Sequence, residues 1–97
     1  MINKDIILIT LAKLKPRLIR QYNITKLALV GPFARDEATE TSDIDVVADF
    51  HGIDIFDLLD IRDLFQESFG KNVDVIVLSP NMNPYLKTKI EKEAIYV

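Results

Sequence analysis

The chain has 97 residues, 48% of them apolar and 28% charged, with a net charge of −3 and no cysteine. These values fit one folded domain over residues 1–97, burying roughly two thirds of the surface of its unfolded chain, and they exclude disorder, low complexity and a disulfide framework. The acidic balance argues against direct binding of nucleic acid through a broad basic patch. No apolar run is long enough to cross a membrane and no signal-peptide pattern follows Met1, so a cytoplasmic location is expected.

Asn3 is placed to cap a first helix in which Ile7, Leu11, Leu14, Leu18 and Tyr22 recur at three- and four-residue spacing. Pro16 removes a backbone donor inside that helix and predicts a kink or a fresh start. Lys13, Lys15, Arg17 and Arg20 lie on the opposite side and read as a solvated face. After a turn at Asn23, residues Lys26 to Val30 predict a first strand, closed by Gly31 where the backbone must bend. A short helix is expected to begin at Phe33, Ala34 and Arg35. A polar loop follows from Asp36 to Thr41, and the Ser42 hydroxyl is placed to satisfy a backbone group in the turn to a second strand ending at Phe50.

His51 and Gly52 form the next turn, and the histidine is assigned no role. Ile53 to Phe69 carries helical periodicity, with Ile55, Leu58, Leu59, Phe65 and Phe69 expected inward. Asp57, Asp60, Asp63 and Glu67 are expected outward, and their row reads as solvated surface. Gly70 supplies a helix stop, and Lys71 to Leu78 predicts a third strand. Pro80 and Pro84 bound a loop, after which Tyr85 to Tyr96 predicts a final helix with Leu86, Ile90 and Ala94 inward and Lys87, Lys89 and Lys92 outward.

Three acids stand against this apolar background. Asp43 and Asp45 open the second strand on the same face, because a strand sends residues i and i+2 to one side. Their mutual repulsion is relieved only by a proton or a bound cation. Asp74 interrupts Val73, Val75, Ile76 and Val77, and it needs a partner, a metal or the polar end of the sheet. If the two strands are neighbours, three carboxylates converge into an oxygen-rich site for magnesium. Two such ions about 4 Å apart can clamp the attacking and leaving oxygens of a phosphoryl displacement. Gly31, followed at once by a helix start, would turn backbone donors toward the phosphates of a nucleotide.

The run from Gly31 to Asp45, with Gly, then Phe-Ala-Arg, then Ser-Asp-Ile-Asp, resembles the MNT-type minimal nucleotidyltransferases of the DNA polymerase β superfamily. The resemblance extends to Leu-Lys-Pro before the first strand, to the Val-Asp-Val-Ile run around Asp74, and to Asn83-Pro84-Tyr85-Leu86 with Glu93-Ala94. It implies an α+β nucleotidyltransferase fold, a small mixed sheet flanked by helices. It also implies transfer of a nucleoside monophosphate from NTP, with ATP favoured, to a hydroxyl of a protein partner, as in pairs formed with HEPN-domain toxins. By the same resemblance Asp43 and Asp45 hold two Mg2+ ions, while Asp74 holds the catalytic ion and helps deprotonate the acceptor. Gly31, Pro32, Arg35 and Ser42 become the candidate nucleotide-binding residues.

Two positions depart from the family pattern, which has Ser where this chain has Pro32 and Gly where it has Asp36. Proline offers neither a hydroxyl nor an N–H to the triphosphate, and Asp36 adds negative charge whose effect depends on where its side chain points. The alternative expectation is a catalytically weakened module that neutralises a HEPN-domain toxin by steric contact.

Overall fold

The structure is a computed structural model that describes residues 2–97. The chain runs α1 (Lys4–Tyr22), β1 (Ile24–Val30), α2 (Gly31–Ala34), β2 (Ile44–Phe50), α3 (Ile55–Phe69), β3 (Val73–Val77), α4 (Pro84–Glu93) and β4 (Ile95–Tyr96). The four strands form one sheet in the order β3-β2-β1-β4. β1 pairs antiparallel with β2 and with β4, and β2 pairs parallel with β3, so the sheet is mixed. The expected α+β architecture is the one observed.

Strand alternation divides the sheet into a helix-covered face and a more open one. Leu27, Leu29, Ile44, Val46, Ala48 and Val73 point into a core closed by Ile7, Leu11 and Leu18 of α1 and by Ile61, Phe65 and Phe69 of α3. Phe33 of α2 plugs the same core at one end of the sheet. On the other face Ala28, Val30 and Val47 meet Ile90 of α4 in a smaller cluster. Each fully buried aliphatic or aromatic side chain in these layers contributes about 1.5–3 kcal/mol through removal from water.

Local chemistry sets the element ends. The Asn3 side chain accepts from the Ile6 N–H at 2.9 Å, as an N-cap should. Asn23 and Gly70 close α1 and α3 in the left-handed conformation, with φ of 57° and 64°. Pro16 lies inside α1, which continues as one helix to Tyr22, so the fresh start expected there does not occur.

Other expectations are corrected. α3 begins at Ile55 behind a capping box of Asp54 and Asp57, and its buried residues are Ile61, Phe65 and Phe69. Ile55 and Leu59, expected inward, are exposed. Two overlapping apolar stripes that share Phe65 and Phe69 coexist on this helix, and packing on the sheet selects the one that includes Ile61. α2 starts at Gly31, two residues before the expected start, and Arg35 is already its C-terminal cap.

The final helix stops at Glu93, and Ile95–Tyr96 form β4 against β1. An open β1 edge leaves backbone donors and acceptors unpaired, and the chain end satisfies it, with the Val97 N–H donating to the Leu27 carbonyl at 3.0 Å. Leu86, placed at the first turn of α4, is exposed, whereas Ile90 is buried.

Candidate active site

The antiparallel register sets Val30 opposite Asp45, and the parallel register sets Asp45 beside Asp74. One row, Val30, Asp45, Asp74, therefore crosses three strands on the open face, at the end where β1 turns into α2. Asp43 lies just before β2 and is exposed, as is Asp74, while Asp45 is partly buried. The acid inside the third strand thus lies on the open face, beside a second acid.

This proximity shows in the protonation of Asp45. Burial pushes its carboxyl above the usual carboxylate range, and the charges of Asp74 and Asp43, a hydrogen bond with Asp74 and the charge of Glu93 push the same way. Among the described residues no three His, Cys, Asp or Glu side chains are gathered closely enough to hold an ion by themselves. The donor set nonetheless fits magnesium, which takes one or two carboxylates and completes its shell with water and substrate phosphates. Asp45 and Asp74 supply that pair.

Gly31 approaches this row so closely that only glycine fits. Its φ is +80°, and an added Cβ would overlap Asp45 Oδ2. The Gly31 N–H donates to Glu93 Oε1 at 2.8 Å. Arg35 also donates to Glu93 Oε1 through Nη1, and its Nε donates to Glu37 Oε2 at 3.0 Å. These carboxylates hold the guanidinium charged, the Glu37 hydrogen bond being the largest influence. Pro32 occupies the first turn of α2 and offers no N–H.

The Asp36 side chain points away from the acids and pairs with Lys4 Nζ at 2.8 Å. Its φ of 60° lies where glycine is at ease, which an aspartate tolerates better than most residues. Ser42 Oγ accepts from the Thr39 N–H at 2.9 Å, so this hydroxyl organises the loop before β2. A cleft of about 240 Å³ joins Gly31, Pro32, Arg35 and Asp45 to Lys89 and Glu93 of α4. Periodicity on α4 assigned Lys89 to solvent and gave Glu93 no role. Glu93 entered only as part of the Glu93-Ala94 run that carries the family resemblance, and periodicity gives neither residue a role because both reach the site through the docking of α4.

The pattern of residues 11–97 matches the family described as the nucleotidyltransferase domain. A Methanocaldococcus jannaschii chain named "Putative protein adenylyltransferase MJ0126" is 35% identical over 88 residues, covering 90% of this chain and 90% of that one. A solved "Structure of putative minimal nucleotidyltransferase" superposes with a TM-score of 0.82 at 22% identity, covering 97% of this chain and 95% of the other. The solved complex of a tri-AMPylated Shewanella oneidensis HEPN toxin with an MNT antitoxin gives a TM-score of 0.69 at 14% identity, covering 96% and 70%. The two structural matches establish the likeness of fold. The family match over residues 11–97 and the 35% identical relative place the chain in the nucleotidyltransferase domain family, as a transferase.

Proposed function

We propose that this protein transfers the nucleoside monophosphate of ATP to a hydroxyl of a protein partner, with Asp43, Asp45 and Asp74 holding Mg2+. The observation that carries the reading is the Asp45–Asp74 pair on adjacent strands, set against the Gly31 turn. Bound magnesium supplies neutralisation of the triphosphate and of the attacking oxygen. Asp45, partly buried, fixes the metal end of the donor nucleotide. Asp74 sits on the edge strand β3 with its carboxylate exposed, where the hydroxyl of a large acceptor can approach it.

The acceptor oxygen bonds to the α-phosphorus as the bond to the bridging α–β oxygen breaks. Pyrophosphate leaves, and the hydroxyl proton passes to Asp74. A protein acceptor is supported by the adenylyltransferase name of the Methanocaldococcus relative and a HEPN-domain partner by the Shewanella complex.

The pairing of Asp36 with Lys4 favours catalysis over a purely steric role, since it neutralises one of the two departures, Pro32 and Asp36, that argued against a working phosphate site. The test is incubation with magnesium, ATP labelled at the α-phosphate and the cognate HEPN-domain protein. Label should join the partner covalently and be lost with Asp45→Asn. Neutralisation of the partner by Asp45→Asn, with no label transferred by the native chain, would replace this reading with the steric one.

A further inference from the structure

Of the residues lining the cleft beside Asp45, two are cations, Arg35 and Lys89. Arg35 is committed to Glu37 and Glu93. Lys89 has no carboxylate within ion-pair distance among the described residues. With Lys92 it also lines an adjoining recess of about 610 Å³ against Arg35 and Glu93. The rest of the charge in the cleft is negative, from Asp45 and Glu93, with Asp43 and Asp74 nearby. A triphosphate entering such a field needs a positive counterpart, and Pro32 has removed both a hydroxyl and an N–H from the turn that faces it.

Glu93 adds a second observation. One of its oxygens accepts from both the Gly31 N–H and the Arg35 guanidinium. An internal carboxylate thus fills a place built for an anion.

Building on the proposed nucleotide chemistry, we propose that α4 supplies the phosphate subsite. Lys89, assisted by Lys92, takes the β- and γ-phosphates of the donor nucleotide, and Glu93 yields Arg35 to them as the triphosphate enters. Lysine suits this role as a mobile point charge on a flexible stem. Lys89 binds the phosphate tail that becomes pyrophosphate, so its contribution belongs to triphosphates and is absent for a nucleoside monophosphate.

The test is calorimetric titration of ATP and of AMP, each with magnesium, into the native chain and into Lys89→Ala, Lys89→Arg, Glu93→Gln, Lys87→Ala and Asp45→Asn. Lys89→Ala should weaken ATP binding about tenfold or more, the loss of one charge-assisted contact, and leave AMP unchanged. Lys89→Arg should restore ATP affinity, and Glu93→Gln should tighten it by freeing Arg35. Lys87, which lines a different cleft, serves as the control and should have no effect.

ATP affinity within about twofold of native in Lys89→Ala, or equal weakening of ATP and AMP, overturns the α4 subsite. If ATP binding is lost in Asp45→Asn but unmoved in Lys89→Ala, only this inference fails and the proposed function stands. Absence of any ATP binding by the native chain removes both.

Discussion

Asp45→Asn should stabilise the protein while abolishing transfer. Asp45 has a raised pKa, first through burial and then through the charges of Asp74 and Asp43. A carboxyl whose folded pKa exceeds its unfolded value of about 3.9 holds its proton more tightly in the folded chain. Its contribution to stability is therefore fully present below pH about 3.9 and is lost as pH rises through the folded value. An uncharged isostere escapes that loss.

Asp45 and Asp74 are directly paired on strands about 4.8 Å apart. Two charges about 5 Å apart at an effective dielectric near 20 repel by about 3 kcal/mol, and the exposure of Asp74 reduces this to about 1 kcal/mol. For a chain of this size about 1 kcal/mol corresponds to a rise in Tm of about 4–8 °C. Thermal unfolding without divalent ions should show that rise at pH 7 and almost none at about pH 3, below the unfolded carboxyl range. Millimolar magnesium should raise the Tm of the native chain, because a ligand of the folded state stabilises it by mass action, and leave Asp45→Asn unmoved. A lower Tm for Asp45→Asn at pH 7, or an equal gain at both pH values, would refute the electrostatic account of this site.

Gly31→Ala meets both a left-handed backbone and the Asp45 carboxylate, so it should cost about 1–3 kcal/mol in thermal unfolding and disable transfer with it. The two departures from the family pattern should separate experimentally. Pro32→Ser restores two donors and should strengthen ATP binding about tenfold or more in titration. Asp36→Gly should leave ATP affinity within about twofold, because the Asp36 charge is paired with Lys4 away from the acids, and should change stability by less than about 1 kcal/mol.

Most elements of this fold follow from local rules that act within a few residues. The α1 stripe, the Asn3 cap, the Gly70 stop and the apolar runs of β1 and β2 are each set by neighbours in sequence, and local pattern reads them directly. Same-face placement of the acids also follows from the two-residue period of a strand. Adjacency of Asp45 to Asp74 does not, because it depends on β3 choosing the β2 edge in one register. The α3 stripe that is buried was likewise decided by the sheet beneath it, and two overlapping apolar patterns gave no local basis for choosing.

β4 and Glu93 show the limit most clearly. Ile95–Tyr96 continue a helical pattern in sequence, yet the unsatisfied edge of β1 draws them into a strand. Glu93 reaches Gly31 from 62 residues away. Propensity and spacing describe what a segment can form by itself. Which segment answers an open strand edge, or a pair of unmatched donors at a turn, is fixed when distant parts of the chain meet and exchange water for one another.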